Sequence, residues 1–235
     1  LDPGGLINVI TKRPERQFSG SVSGTSTSFG GGTGSVDITG PIEGTNLAYR
    51  LIGEYQNEDY WRNFGKNKSS FIAPSLTWFG ERATVTASYS HRDYSAPFDR
   101  GTIFDLNTGH AVNVDRKTRF DEAFNITDGY SDLAQLNAEY RLNDAWTARF
   151  DYSYSQDHYN DNQARVMAYD SATGNLTRRV DGTHGSTQKM HSTRADLQGN
   201  VVVGGFYNEL LTGVAYENYD LLRTDMLRCK NVKGF

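Results

Sequence analysis

The sequence predicts an all-β protein whose antiparallel strands cross a membrane as part of a β-barrel. Two regularities of the 235-residue chain carry this prediction. About nine stretches alternate apolar and polar residues over about 10–14 positions, which is longer than the strands of most soluble sheets. Short and long connections also alternate along the chain, as the inner turns and outer loops of membrane barrels do.

Strands are predicted where side chains alternate between two faces and turn-forming residues bound the stretch. In the stretch 47–60, Tyr49, Leu51 and Tyr55 share one face, while Arg50 and Glu54 share the other. Short turns are predicted at 43–46, 80–82, 143–144 and 204–205, and long connections at about 61–68, 95–130 and 160–189. The predicted strands are residues 17–29, 35–42, 47–60, 69–79, 83–94, 131–142, 145–154, 191–203 and 207–220.

One face of these strands is almost free of charge, and the other face carries many charged residues. A soluble sandwich would keep its charges outside, so charges on the inner face indicate a wet barrel lumen. Aromatic residues near the strand ends are typical of the girdles at bilayer boundaries; they are Tyr60, Trp61, Trp78, Phe79, Trp146 and Tyr219. The charged residues of the second face are Arg50, Glu54, Glu139, Arg141, Arg149, Asp151, Arg194 and Asp196.

Composition and motifs exclude several classes of protein. No run approaches the roughly 18–20 apolar residues that a membrane helix needs. The net charge of −4 argues against a nucleic-acid binder. The single Cys229 excludes a disulfide framework within the chain and a Cys-based zinc cluster. The histidines show no metal-ligand spacing, and there is no serine elbow or phosphate loop. We therefore predict no enzyme, no resident metal and no cofactor.

The stretch from Gly4 to Pro14 reads as a short buried strand. Its two glycines permit tight backbone, and Pro14 ends strand pairing because it has no N–H to donate. Leu6, Ile7, Val9 and Ile10 form the apolar run between them. The stretch closely resembles the segment that ends the plug domain of TonB-dependent outer-membrane receptors, a pattern of two glycines, hydrophobic residues around an asparagine, and a basic pair before proline.

The resemblance implies a domain boundary near the start of the chain. In that family the segment is the last strand of the plug, and the chain passes from it directly into the barrel. Residues 1–14 would then end a plug domain, and residues 15–235 would begin a transmembrane antiparallel β-barrel of about 22 strands. About nine of those strands are present. Residues implied to anchor the plug to the barrel wall are Gly4, Gly5, Asn8, Lys12 and Arg13.

Stretches within the barrel resemble the siderophore branch of the family, nearest the ferric-hydroxamate (ferrichrome and ferrioxamine) receptors. The resemblance implies uptake of a ferric siderophore by a monomeric, multi-pass receptor in the bacterial outer membrane. The implied partners are the siderophore, the TonB–ExbB–ExbD system, and outer-membrane lipid and lipopolysaccharide, with no nucleic acid. For Cys229 it implies a loop disulfide whose partner lies beyond Phe235, the alternative being a free thiol. The stretches concerned are residues 100–105, 119–125, 131–140 and 225–231.

The resemblance also implies where the ligand binds. In that family, ligand contacts come from plug apices and from aromatic residues of the barrel wall and outer loops. On that basis Phe98 would contact the apolar rim of a hydroxamate chelate, and Arg100 would hydrogen-bond its carbonyl oxygens. Tyr159 and Tyr169 would add contacts from the next long loop. The alternatives for these residues are interface aromatics and solvated side chains.

Three other functions stay open from the sequence. Haem or cobalamin uptake is the alternative within the family, and a passive porin or adhesin translocator is the alternative among other barrels. An outer-membrane barrel enzyme would need a Ser/His/Asp set converging on one rim. Ser90 and His91 are adjacent on a predicted strand, but neighbouring side chains point to opposite faces.

Overall fold

Nine long antiparallel strands and one two-residue strand form a single sheet in the part of the chain that the structure, a computed structural model, describes: residues 10–224 and 226–228. Gly4, Gly5 and Asn8 of the predicted plug strand, and Cys229, lie outside the described residues. The strands are β1 Ser19–Ser26, β2 Gly31–Ile42, β3 Leu47–Asp59, β4 Lys66–Phe79, β5 Ala83–Pro97, β6 Ile126–Arg141, β7 Trp146–Asp170, β8 Asn175–Val203, β9 Phe206–Leu222 and β10 Leu227–Arg228.

From β1 to β9, each strand pairs with the next one along the chain, and β10 pairs with β8. This up-and-down order of antiparallel strands confirms the predicted all-β fold class. We call the end of the sheet with the connections 43–46, 80–82, 142–145 and 204–205 the turn end. The opposite end, which carries the connections 60–65, 98–125 and 171–174, is the loop end.

Within the described residues, no helix is long and apolar enough to span a membrane.

The predicted long connection at 160–189 is wrong, because these residues extend β7 and β8. The two strands remain paired as far as Asp170 and Asn175, where a four-residue turn with Gly174 at φ 72° reverses the chain. Polar residues occur on both faces of this outer half, so the alternation that marks a half-buried strand is missing. The connection between β3 and β4 is also shorter than predicted, at residues 60–65.

The strand register assigns alternate side chains to two faces of the sheet. We call the face with Leu51, Leu136 and Phe150 the outer face and the face with Arg50 and Arg149 the inner face. All three apolar side chains are exposed in this single-layer sheet. Among the described residues, the buried apolar side chains are Pro14, Ala48 and Ala164. The sheet therefore has no closed apolar core of its own, which is what a segment of barrel wall requires.

Arginine substitutions at two neighbouring positions of β6 test the assignment of faces. Leu136→Arg would place a charge on the outer face, and Gln135→Arg would place the same charge on the inner face. In a bilayer we expect Leu136→Arg to lower the free energy of unfolding by about 2 kcal/mol, because a guanidinium inside the apolar band is costly. Gln135→Arg should change it by less than about 1 kcal/mol, because lumen positions are wet.

The measurement is denaturant unfolding of the full-length protein in lipid vesicles. An equal loss of stability in both variants would contradict the assignment of faces.

Candidate functional site

A 28-residue connection at the loop end, residues 98–125 between β5 and β6, folds against the outer half of the β7–β8 hairpin. We call it the β5–β6 loop. Three contacts fix this arrangement. The Ala164 N–H donates to Asn125 Oδ1 at 2.7 Å, the Leu106 N–H donates to the Tyr169 carbonyl at 2.9 Å, and Asp105 forms a parallel bridge with Tyr169. The loop and the hairpin thus form one structure beside the start of β6.

A cavity of about 420 Å³ opens between the β5–β6 loop and β7. Its lining combines aromatic rings, a thioether, two carboxylates and two guanidinium groups. Small-molecule sites typically pair such apolar walls with a few polar groups that orient the ligand. The lining residues that matter below are Arg100, Phe104, Phe120, Asp121, Arg165 and Met167.

Two cations line this cavity without a carboxylate partner. Arg100 donates through Nε to Gln163 Oε1 at 2.6 Å, and its guanidinium lies 4.9 Å from the centre of the Phe98 ring. Arg165 lies on β7 opposite Arg179 of β8. Within the described part of the chain, neither Arg100 nor Arg165 forms an ion pair. Their positive charge is therefore available to an anionic group in the cavity.

A buried ion pair holds the base of the β5–β6 loop. Arg62 Nη1 lies 2.8 Å from Asp99 Oδ1, and the two side chains are 5% and 8% exposed. Arg62 also donates to the Thr118 carbonyl, and the Tyr60 hydroxyl donates to Asp99 Oδ2 at 3.1 Å. Burial alone would raise the pKa of Asp99, but the Gly101 N–H and the Arg62 guanidinium outweigh it and lower the pKa. Asp99 is therefore an ionised carboxylate. Through Arg62 and Tyr60 it links the β5–β6 loop to the connection between β3 and β4.

A second buried arginine supports a strained turn beside this pair. Arg119 Nη2 lies 2.7 Å from Asp121 Oδ2, while Nη1 donates to the Phe64 carbonyl at 3.1 Å. Phe64 has a φ of 47°, a conformation that is costly for a bulky residue. The Arg119 guanidinium also lies over the Phe64 ring at 4.6 Å. These contacts hold the connection between β3 and β4 against the β5–β6 loop.

The tip of the hairpin is attached to the same loop by a carboxylate cluster, the tip latch, formed by Asp105, Asn107, Thr108, Asp170 and Ser171. Asp105 accepts hydrogen bonds from Ser171 Oγ at 2.7 Å, Ser171 N at 3.0 Å and Thr108 Oγ1 at 3.0 Å. Asn107 Nδ2 donates to Asp170 Oδ1 at 2.6 Å. The donors, chiefly the Ser171 hydroxyl, lower the pKa of Asp105 from 3.8 to about 2.

The structure brings only part of the sequence-predicted site together. Phe98 and Arg100 are adjacent, and Arg100 lines the cavity. Tyr159 and Tyr169 are not in a loop as predicted, because both belong to β7. Ten residues separate them, about 33 Å along an extended strand, so they do not share one site. Tyr169 lies at the hairpin tip, where its carbonyl holds the loop, and Tyr159 lies on the inner face.

Sequence reasoning missed most residues that build the cavity. The sequence places Phe104, Phe120 and Asp121 only within family-like stretches, and it predicts a long connection around Arg165. No pattern in the sequence indicates a role for Arg62, because its partner Asp99 is 37 residues away. An alternation of apolar and polar residues would have placed Arg165 on a strand, but polar residues on both faces of the hairpin obscure that pattern.

The segment before β1 lies along the inner face near the turn end, and Arg50 holds it there. Arg50 Nη2 lies 2.6 Å from Asp37 Oδ2, and Nη1 donates to the Arg13 carbonyl at 3.0 Å and to Glu15 Oε1 at 3.1 Å. Lys12 Nζ lies 2.8 Å from Asp37 Oδ2. Of the predicted plug anchors that are described, Lys12 thus uses its side chain and Arg13 its carbonyl.

Comparison with known proteins gives relatives over nearly the whole chain. No protein-family model matches it. The chain is 26% identical over 222 residues to the metal-pseudopaline receptor CntO of Pseudomonas aeruginosa strain UCBPP-PA14, covering 93% of this chain and 31% of the relative. It is 22% identical over 224 residues to the ferric-pyoverdine BN7/BN8 receptor of Pseudomonas putida, covering 93% and 27%. The chain thus spans less than one third of the length of these relatives.

Solved structures agree on the fold. The closed form of the ferric-catecholate import receptor Fiu from E. coli K12 superposes with a TM-score of 0.82 at 21% identity, covering 93% of this chain and 34% of that one. The ferripyoverdine receptor of the outer membrane of Pseudomonas aeruginosa gives a TM-score of 0.81 at 17% identity, covering 95% and 30%.

The chain has the fold of part of a receptor barrel wall. Its relatives are receptors for siderophores and metal chelators rather than enzymes. The sheet described above corresponds to a segment of such a wall, with one large loop and one long hairpin at the same end.

Acidification is expected to open the tip latch. Because docking lowers the pKa of Asp105 from 3.8 to about 2, the docked loop is stabilised above pH 3.8, and that contribution disappears as the pH falls towards about 2. We expect the amides near Asp105 and Ser171 to keep their protection from hydrogen exchange down to about pH 4 and to lose it below. Asp105→Asn should remove the protection even near neutral pH.

The measurement is hydrogen exchange followed by mass spectrometry, with rates corrected for the intrinsic effect of pH. Asp115→Asn, on an exposed part of the same loop, is the control. Unchanged protection in Asp105→Asn would contradict the latch.

Substitutions at Arg50 and Arg13 test how the N-terminal segment is held. Arg50 contributes its side chain, whereas Arg13 contributes its backbone carbonyl. Arg50→Met removes the donors to Asp37, Glu15 and the Arg13 carbonyl, so exchange of amides in residues 10–16 should rise several-fold. Arg13→Ala keeps the carbonyl and should leave exchange unchanged. Equal exchange in both variants would mean that Arg50 does not hold the segment.

Proposed function

We propose that the chain is the first part of the barrel of an outer-membrane receptor that takes up a metal chelate or ferric siderophore, powered through TonB. The single observation that carries the proposal is the likeness to siderophore and metal-chelator receptors over 93% of the chain. The cavity supports it, because it lies at the loop end, the side from which an external ligand arrives.

The class of cargo rests on the relatives and on the cavity. Relatives are named for pseudopaline, pyoverdine, ferric catecholate and ferric preacinetobactin. None of these is named for a hydroxamate, so the hydroxamate class expected from the sequence is one cargo to test among several. Arg100 and Arg165 favour a chelate that exposes anionic oxygens, because no ion pair of the described residues neutralises either cation.

In this proposal the chelate enters the cavity between the β5–β6 loop and β7. Arg100 and Arg165 donate charge-assisted hydrogen bonds to its oxygens. Phe120 and Met167 contact its apolar parts, and Phe98 keeps Arg100 oriented through the ring contact at 4.9 Å. The iron arrives already chelated, so no protein side chain binds the metal directly.

Two sequence-predicted tyrosines take different parts in this scheme. Tyr169 supports the cavity from the hairpin tip through its carbonyl. Tyr159, on the inner face, lines the path of the ligand below the cavity.

The start of the chain joins the plug to the wall in this scheme. Residues 1–14 are the end of the plug, and residues 15–235 are the start of the barrel. Gly4, Gly5, Asn8, Lys12 and Arg13 are the proposed anchors, and Asp37 and Arg50 are their receiving residues on the wall. TonB, with ExbB and ExbD, would act on the plug while this connection stays in place.

The test is uptake of radiolabelled iron by a receptor-deficient strain that carries the full-length gene. Cells are fed single ferric chelates of the pyoverdine, catecholate, hydroxamate and pseudopaline classes. Uptake that requires both the gene and TonB would support the proposal and identify the cargo. No uptake of any chelate, with the protein present in the outer membrane, would overturn it.

Arginine variants test the cavity in the same strain. Arg100→Ala and Arg165→Ala should each weaken the apparent affinity about tenfold or more, since a hydrogen bond to a charged group contributes about 1.5–3 kcal/mol. Arg116→Ala, at an exposed position of the same loop, should transport normally. Normal affinity in all three variants would overturn the cavity as the binding site while leaving the receptor function intact.

A further inference from the structure

Gln163 is a buried residue beside the cavity, and it holds the side chain of Arg100. Only 2% of Gln163 is exposed, and its Oε1 accepts a hydrogen bond from Arg100 Nε at 2.6 Å. The ring of Phe98 packs against the same guanidinium, whose central carbon lies 4.9 Å from the ring centre. The side chain of Arg100 is thus fixed by two contacts, although the residue itself is exposed.

These contacts leave the end of the Arg100 guanidinium free. In the part of the chain that the structure describes, no hydrogen bond or ion pair uses either Nη group of Arg100. The two Nη groups form a planar fork, and its parallel N–H bonds match the two oxygens of a carboxylate. The cavity therefore presents a pre-aligned bidentate donor to an anionic group that enters it.

Arg165 adds a second positive charge to the same wall. It lies two residues after Gln163, on the same face of β7 and about 7 Å further along the strand. The carboxylates of the lining do not neutralise the two cations, because Asp99 and Asp121 are each paired with a buried arginine. The wall formed by Arg100 and Arg165 therefore attracts negative charge.

A metal chelate exposes two kinds of oxygen to such a wall. An oxygen that coordinates the metal shares a lone pair with it, and the charge of the metal offsets the negative charge of the oxygen. An uncoordinated carboxylate keeps its full charge and has both oxygens available. Because charge-assisted bidentate hydrogen bonds are the strong ones, the fork of Arg100 favours the uncoordinated carboxylate.

The size of the cavity favours the same group. Its volume of about 420 Å³ is in the lower part of the range for small-molecule sites, roughly 300–1,000 Å³. The walls are tied to each other, since Arg178 of β8 lies 2.5 Å from Glu122 and the tip latch joins the loop to the end of the hairpin. The cavity therefore suits a peripheral arm of a chelate better than its metal-binding core.

We propose that the cavity recognises an uncoordinated carboxylate on a peripheral arm of the chelate. The fork of Arg100 binds the two carboxylate oxygens, and Arg165 contributes the second positive charge. Gln163 is a positioning residue, which keeps the fork aligned from beneath. The inference rests on the proposed function and deepens it by naming the class of chelate, one that carries a free carboxylate besides its metal-binding groups.

The test measures the binding of paired probes to the full-length receptor in detergent by isothermal titration calorimetry. The probes are a ferric pyoverdine, a ferric tricatecholate, a ferric trihydroxamate and metal-loaded pseudopaline. Each is prepared in two forms, one with an uncoordinated carboxylate on its periphery and one with that carboxylate converted to a neutral amide of nearly the same shape. The ratio of the two affinities is the carboxylate preference.

For each chelate that the receptor binds, we expect the carboxylate form to bind about tenfold more tightly than the amide form. Arg100→Lys keeps the charge but loses the fork, so the carboxylate preference should fall to about threefold or less. Arg165→Lys should lower the preference by no more than about twofold, because Arg165 contributes its charge alone. Equal affinity of the two forms, or equal losses in the two lysine variants, would overturn the proposal.

Gln163→Met tests the positioning role. It removes the acceptor for Arg100 Nε, so the carboxylate preference should fall while the affinity for the amide form stays the same. A general loss of structure would weaken both forms alike. Gln198→Met is the control, because Gln198 also forms a side-chain hydrogen bond but lies at the turn end, away from the cavity. A carboxylate preference that is unchanged in Gln163→Met would show that Gln163 does not align the fork.

Uptake of the same probes separates this inference from the proposed function. If cells that carry the full-length gene take up a chelate equally well in both forms, carboxylate recognition is wrong and the transport function stands. If they take up neither form of any probe, with the protein present in the outer membrane, the transport function itself is overturned.

Discussion

Regular strand pairing is the constraint on which the rest of the molecule depends. Each strand satisfies the backbone groups of its neighbours, so side chains are assigned strictly to one of two faces. A shift by one residue would exchange the faces and move Leu136 to the inner face and Gln135 to the outer face. The same rule positions Arg50 towards the N-terminal segment and Tyr130 on the outer face. The contacts that hold the N-terminal segment and the apolar character of the outer face are therefore consequences of one register.

The structural arginines each form an ion pair with a carboxylate, whereas the arginines proposed to bind a ligand do not. Arg62 and Arg119 are buried, and each has its own carboxylate, in Asp99 and Asp121. Removing either partner would leave a buried charge without compensation, which is strongly destabilising. Arg100 has only neutral partners, so a ligand that brings negative charge gains from it without breaking an existing ion pair. An argument based on burial alone would have selected Arg62 and Arg119, whose charges are already paired.

The sequence predicted the strands where one face is apolar and failed where neither face is, for one physical reason. Between Trp146 and Tyr154 one face must be apolar, and the period-two pattern is unmistakable. Beyond Tyr154 polar residues occur on both faces, so the strand continues to Asp170 without a pattern to reveal it. The predicted pair Phe98 and Arg100 lies beside the cavity because it directly follows a strand. Arg62 was not predictable, because its contact with Asp99 depends on how two connections fold together.

Ion pairs and hydrogen bonds hold the walls of the cavity together, and this affects the free energy with which a ligand would bind. Arg178 of β8 lies 2.5 Å from Glu122 and donates to the Phe120 carbonyl, so the hairpin holds one side of the loop. The tip latch around Asp105 holds the other side, and the Arg62–Asp99 pair holds its base. A loop fixed at three places has already lost most of its conformational freedom before a ligand arrives. Binding then costs little additional ordering, and more of the interaction energy of Arg100 appears as affinity.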